Sequence, residues 1–297
     1  MSRSYNDKAK YNLYPSEVNE VAFILCPIYR RLMQLIPLIA RNWPFANGSG
    51  RILDKFARGI DLGVGERVAQ ASDGFPMHVY ADDLVGRHIL MSGAFDRSVI
   101  QVLLDQSRNG DVLLDIGANI GYVSAVFLKR VIGSEALCIE PQPGIVDLLR
   151  KNMAQFGNRV EVKQIGLADE DGVLRFHVNT ENRGASRISA DGEIEIHVQM
   201  GSKVLAKMPR LDLIKIDVEG FEEPIFRSIE QELVRLKPRA ILFEEQTGSA
   251  APSEKIGTIL TRTGYRIFGI DKQLFKTELV AINSRDDCRF NDYIALA

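Results

Sequence analysis

The 297-residue chain is poor in the residues that staple small or secreted folds. It has three cysteines, Cys26, Cys138 and Cys288, far apart and without a CxxC pair. A disulfide scaffold or a structural zinc site is not expected from such spacing. The four histidines (78, 88, 177 and 197) form no HExxH or HxxxH pattern, so a histidine-based metal site is not expected either. There is no excess of one charge: 37 Lys+Arg stand against 39 Asp+Glu. A duplex nucleic-acid binder needs a basic surplus to neutralise phosphates, so nucleic acid is not an expected partner. Long apolar runs are also missing. The most apolar stretch, residues 21–39, is broken by Pro27, Arg30, Arg31, Gln34 and Pro37 and falls short of the ~20 residues a spanning helix requires. The polar first residues do not resemble a secretory leader, and a reducing, cytoplasmic setting is the default expectation.

What is present divides near residue 75. Residues 15–72 read as helical, with Val21, Ile24, Ile28, Leu32, Leu35 and Ile39 at helical spacing and no acidic residue between Val21 and Leu53. Two readings follow for residues 21–53: a helical cap packed on the rest of the chain or on a second subunit in a homodimer, or a basic amphipathic surface that touches anionic lipid. From residue 75 onward, short apolar runs alternate with helical stretches. Strands are expected at 111–116, 136–140, 160–165, 211–217, 239–244, 265–270 and 292–296, and helices at 96–106, 120–131, 143–156, 222–236 and 254–263. Such alternation predicts an α/β fold, a parallel sheet with helices on both faces. Residues 172–200 break the rhythm and read as a hairpin or flap.

The strongest chemical signal is Asp115-Ile116-Gly117-Ala118-Asn119-Ile120-Gly121, which follows a buried strand and opens a helix. Ligands of open α/β sheets bind outside the carboxyl ends of strands, so this loop should floor a pocket. Glu140, at the end of the next strand, is placed to accept the two hydroxyls of a ribose. A dinucleotide loop would read GxGxxG and present a helix N-terminus to pyrophosphate. Here Asn119 replaces a glycine and Asp115 stands beside the loop, an arrangement better suited to an ammonium than to a pyrophosphate. S-adenosylmethionine carries an amine, a sulfonium and a ribose, and fits both carboxylates. A nicotinamide-dependent oxidoreductase is the less suitable alternative. A non-catalytic, membrane- or partner-recruiting module is another, motivated by residues 21–53.

Two further clusters lie at strand ends. Lys215-Ile216-Asp217-Val218-Glu219-Gly220 should open onto the same crevice and could hold an amine, orient a hydroxyl or bind a cation. Gly166-Leu167-Ala168-Asp169 lies where an adenine ring would sit, with Leu167 against its face and Asp169 accepting from its amino group. A hydroxyl nucleophile needs a general base. Asp217, Glu219 and Glu245 are the carboxylate candidates, and His177 and His197 of the flap are further ones. Three acids could hold a divalent cation, but the chemistry does not require one and no metal is expected. The absence of an aromatic D/N-P-P-[YF] element argues against methylation of nucleic-acid bases.

Together DIGANIG (115–121), IEPQP (139–143), GLADEDG (166–172) and KIDVEG (215–220) resemble, in order and spacing, the FkbM-type family of S-adenosylmethionine-dependent methyltransferases. The resemblance covers residues 85–270. Gly93-Ala94-Phe95-Asp96 stands where the family often has G-x-[FY]-E, and Gly166 where alanine is usual. The resemblance implies a class I methyltransferase (Rossmann-like) domain over 75–297, with a seven-stranded, mostly parallel sheet whose last strand is antiparallel, behind a helical N-terminal extension, residues 1–74. The cofactor contacts it implies are Asp96, Asp115, Gly117, Ala118, Asn119, Gly121, Glu140, Pro141, Leu167, Asp169 and Asp217. The activity implied is O-methylation of a small molecule or glycan.

Overall fold

The computed structural model describes residues 35–179, 182–245, 254–284 and 287–297. Its centre is an eight-stranded sheet built on four parallel neighbours: β11 (Ala240–Glu244), β10 (Leu213–Ile216), β3 (Val112–Ile116) and β4 (Glu135–Ile139), with β5 (Val160–Lys163) beyond β4. Successive residues of a strand face opposite sides. Both faces here are apolar: Leu113 and Leu213 join one buried cluster, and Leu114 and Ile214 the other. A strand buried on both faces reads as a continuous apolar run, as VLLDI and LIKI do.

Helices α4 (Arg97–Asp105), α5 (Tyr122–Arg130) and α6 (Ile145–Met153) contribute to the first cluster; α7 (Gly201–Leu205), α8 (Glu222–Leu236) and α9 (Glu254–Arg262) contribute to the second. Beyond β11, β14 (Asp292–Leu296) inserts antiparallel between β11 and β12 (Arg266–Lys272), as expected for the closing strands. The expected count of seven is exceeded by one. β12 turns back into β13 (Thr277–Ala281), which pairs only at the sheet edge. Its exposed, mixed sequence TELVA carries little of the apolar pattern that marks a central strand.

The expected flap is a small sheet of four strands, ordered β6-β9-β7-β8: β6 (Gly166–Ala168), β7 (Gly172–His177), β8 (Arg187–Ile188) and β9 (Ile194–Met200). The hairpin of β7 and β9 is as expected. The addition of β6 is not, because its three residues are too few to show alternation.

The helical expectation for 15–72 holds only in part. Residues 1–34, and with them most of the amphipathic segment, lie outside the described residues. Residues 35–41 (α1) and Ser49–Phe56 (α2) are helical, but Glu66–Gln70 is a strand, β1, paired with β2 (Pro76–Tyr80). ERVAQ is too short and too polar to separate a strand from a helix by pattern. The division expected between residues 74 and 75 falls in the turn of this hairpin. α3 (Leu84–Ser92), capped by the Asp83 carboxylate, follows it. The extension is tied to the far sheet edge. Asn47 Nδ2 donates to Lys276 O (2.8 Å), and Arg51 Nη2 to Lys272 O (2.5 Å).

Candidate active site

The carboxyl ends of β3, β4, β10 and β11 open into one crevice. Its outer lobe has a volume of about 270 Å³, and a deeper lobe of about 80 Å³ shares with it Asp96, Gly117, Asn119, Asp217 and Glu244.

The floor is the loop after β3. Gly117 and Asn119 hold φ of 75° and 52°, and Gly121 a φ of 84°. At Gly117 a Cβ would lie 1.8 Å from the Asp217 carbonyl oxygen, so no side chain fits. The N–H groups of Gly117 and Ala118 both donate to Ile139 O at 3.0 Å, which binds the loop to the end of β4. Asn119 N–H then donates to Glu140 Oε2 (2.9 Å), and Gln142 N–H to Oε1 (2.9 Å). Each carboxylate oxygen has two lone pairs, so Glu140 keeps acceptor capacity towards the crevice. Burial pushes its pKa up to about 7, against the two N–H groups and the Lys215 charge.

Asp115 is fully buried beneath this loop rather than lining the crevice. Its Oδ2 accepts from Ser124 Oγ–H (2.7 Å), and its Oδ1 lies 3.4 Å from Lys215 Nζ. Of the expected cofactor contacts, Asp115 does not line the crevice itself: it supports the loop from below. Its partner is Lys215, the first residue of KIDVEG. In the β10–β3 register Lys215 and Asp115 are direct partners. Lys215 Nζ also reaches Asp217 Oδ2 (3.3 Å) and donates to Gly117 O (3.1 Å). Burial would lower the pKa of this ammonium, but the Asp217 and Asp115 charges outweigh it and hold the group protonated.

The KIDVEG turn brings Asp217 and Glu219 to the crevice wall, Glu219 in the left-handed region at φ 55° and Gly220 at 97°. Glu222 fixes this turn, its Oε1 accepting the N–H groups of Val218 and Gly220 at 3.2 Å. Ile139, Pro141 and Leu167 give the outer lobe apolar faces. Gly121 is not a lining residue; a Cβ there would meet Leu149 and Met153 of α6 at 2.6 and 2.8 Å, so it serves close helix packing. Asp169 is paired with Arg227 of α8 (2.5 Å) and is not among the residues that line the crevice, although Leu167, two residues before it, is.

At the end of β11 it is Glu244, not the expected Glu245, that forms the wall. Strand parity decides between them. Glu244 pairs in register with Asp292, and Glu245 N–H bonds to Asn291 O. Burial, then the charges of Asp217, Asp292 and Glu219, push the Glu244 pKa up to about 8, with Lys272 opposing. Asp96 and Asp292 complete this side. Lys272 Nζ lies 3.0 Å from both Asp96 carboxylate oxygens and 2.8 Å from Asp292 Oδ2. Asp96 lines the crevice as expected, in the left-handed conformation at the start of α4. The flap histidines are elsewhere: His177 pairs with Glu193 (2.8 Å) and His197 is exposed on β9. Among the described residues no group of three His, Cys, Asp or Glu is arranged to hold a metal.

The FkbM methyltransferase domain matches residues 115–267, just over half of the chain. The chain belongs to the FkbM-type family of S-adenosylmethionine-dependent methyltransferases. Hexuronic acid methyltransferase AglP of Haloferax volcanii is 26% identical over 137 residues, covering 45% of this chain and 56% of the relative. 2-O-methyltransferase NoeI of Sinorhizobium fredii is 22% identical over 162 residues, covering 48% and 65%. The chain thus spans about three fifths of these relatives. A precorrin-6y C5,15-methyltransferase from Geobacter metallireducens superposes with a TM-score of 0.41 at 15% identity, covering 69% of this chain and 91% of that one. In this FkbM-type chain the crevice suits a positively charged, ribose-bearing donor. Its lining holds the carboxylates of Asp96, Glu140, Asp217, Glu219 and Glu244, beside apolar faces for a flat ring. Among the described residues a pyrophosphate would meet those acids with only Arg183 as a lining cation in the outer lobe, and Arg183 is engaged with Asp82 (3.0 Å) and the Tyr80 ring. No helix of the described residues is long and apolar enough to cross a membrane.

Proposed function

We propose that this chain transfers a methyl group from S-adenosylmethionine to a hydroxyl of a small molecule or glycan. The observation that carries the reading is one crevice that holds two chemically distinct groups of side chains. Glu140 stands with apolar faces, and Glu244 and Asp217 stand with Asp96 and Asp292, which Lys272 joins. The donor supplies an electrophilic methyl on a sulfonium. Glu140 accepts from the ribose, Asp217 and Glu219 face the cationic part, and Ile139, Pro141 and Leu167 pack on the ring. Lys215 holds the floor by fixing Gly117 O and balancing Asp115. In-line transfer depends chiefly on how such groups position donor and acceptor.

The second group supplies the base. Glu244, with a pKa of about 8, is matched to accept a hydroxyl proton near neutral pH. Asp217 and Glu219 sit beside it and are closer to the donor's charge. The hexuronic acid and 2-O specificities in the names of the relatives are consistent with a sugar acceptor.

The test is titration of S-adenosylmethionine and turnover on a panel of sugars with Glu244→Gln. The donor should bind the variant as it binds wild type, while kcat falls by roughly 10²–10⁴-fold, the usual range for loss of a general base. In wild type kcat should rise as pH passes through about 8. Unchanged turnover in Glu244→Gln would remove it from the chemistry. Failure of the donor to bind wild type would remove the whole reading.

A further inference from the structure

A basic cavity lies outside the crevice. It occupies about 350 Å³ between the extension and helices α4 and α5. Three guanidinium groups line it, from Arg41, Arg97 and Arg130, against one carboxylate, Asp73. None of these arginines belongs to the machinery described above.

Their hydrogen bonding leaves donors to spare. An arginine has five N–H donors. Among the described residues, Arg97 donates from Nη1 to Trp43 O (3.0 Å), Arg41 from Nη2 to Gln70 O (3.1 Å), and Arg130 from Nε to Asp73 Oδ1. Arg97 is also placed against the field of its own helix. It is the first residue of α4, whose first turn holds no acid, and a cation at that end meets the positive pole of the helix. Asp96, the capping residue before it, accepts from Val99 N–H and is shared with Lys272. Three cations gathered around one acid, one of them at the first residue of a helix, leave N–H donors free for an anion.

The position of the cavity says which molecule would bring that anion. Ala46, Ala94 and Arg97 are shared with a neighbouring cavity of about 260 Å³, which runs on to Phe95, Asp96 and Lys272. Phe95 and Asp96 in turn line the crevice. A continuous wall therefore leads from the arginines to the crevice. The two sites have opposite charge, so a phosphate is repelled by the acids of the crevice and held by the arginines outside it. A molecule with a hydroxyl at one end and a phosphate at the other would be oriented by that contrast alone.

We propose that the Arg41, Arg97 and Arg130 cavity binds a phosphate group, and that the acceptor carries it at a distance from the reacting hydroxyl. The second half of this statement rests on the methyltransferase reading; the first does not. The experiment is calorimetric titration of the full chain with inorganic pyrophosphate, in the presence of saturating S-adenosylmethionine. Wild type should bind it saturably and less tightly as salt is added. Arg41→Ala and Arg97→Ala should each weaken binding by about tenfold, as expected for loss of a charge-assisted contact. Asp73→Asn should strengthen it by freeing Arg130, and donor affinity should be the same in all four proteins. Arg41→Ala and Asp73→Asn keep the test decisive if Arg97→Ala, which removes the tie to Trp43, does not fold. A parallel arm measures co-sedimentation with phosphatidic acid vesicles. Pyrophosphate binding without vesicle binding puts the phosphate on a soluble acceptor; vesicle binding lost in the same variants puts it on a lipid headgroup. Absence of saturable binding of either probe, or equal affinity in wild type and every variant, overturns the site. The pyrophosphate readout is independent of methyl transfer, so its failure beside intact donor binding leaves the methyltransferase reading standing.

Discussion

Lys215→Met is the most severe single test of how the crevice floor is held. The ammonium is buried with a side-chain exposure of 10%, between Asp115 at 0% and Asp217 at 34%. Methionine has similar length and no charge. It leaves Asp115 without its cation in a site with no water access. Breaking a buried pair by removing one partner costs about 3–5 kcal/mol, most of it the uncompensated charge that remains. In a domain of this size that corresponds to a fall in melting temperature of roughly 10 °C. Asp217, a third exposed, adds little because solvent screens it. Chemical denaturation with urea reads the loss directly from the midpoint. The pairing also predicts its own rescue. Asp115→Asn combined with Lys215→Met removes both charges and should recover most of the stability, since replacing a whole buried pair is close to neutral. The double variant should still bind S-adenosylmethionine poorly, because no Nζ donates to Gly117 O and the loop loses its anchor. A single variant within about 1 kcal/mol of wild type, or a double variant no more stable than the single, would refute this account.

Other expectations concern donor binding. Glu140 must be ionised to accept two hydroxyl hydrogens and is pushed up to about 7 by burial, so donor affinity should drop as pH falls below about 7, and Glu140→Gln should be weak and flat with pH in the same titrations. Gly117→Ala forces a Cβ to within 1.8 Å of Asp217 O at a φ of 75°, and should abolish donor binding and lower the melting temperature. Asp169→Ala removes only a surface pair with Arg227 and should leave donor affinity within about twofold of wild type, for exposed pairs contribute at most ~1 kcal/mol. A large loss there would return Asp169 to the adenine site.

The parts of the site carried by local pattern were legible in the sequence. DIGANIG, IEPQP and KIDVEG each combine a strand end with residues whose type alone limits the chemistry, and Gly117, Asn119, Glu140, Asp217 and Glu219 all reach the crevice. What escaped depends on pairing between distant segments. Lys215 reads as a stray charge in an apolar run until the β10–β3 register sets it beside Asp115, 100 residues earlier. The choice between Glu244 and Glu245 is a matter of parity that only the partner strand fixes. Lys272 and Asp292 come from the closing strands, whose sequences show no motif. Asp169 is ambiguous for a different reason: a turn rich in acids suits solvent and an arginine on α8 as well as it suits a ligand.

The family match ends at residue 267 and begins at 115. Glu140, Lys215, Asp217 and Glu244 lie inside that span; Asp96, Lys272 and Asp292, which build the opposite wall, lie outside it. The crevice is therefore walled by segments that the chain brings back from both sides of the matched span, α4 from before it and the closing strands from after it. Substitutions at Asp96, Lys272 or Asp292 leave the hydrogen bonds that hold Glu140 and Lys215 in place, so the opposite wall can be reshaped while the floor of the crevice keeps its anchors.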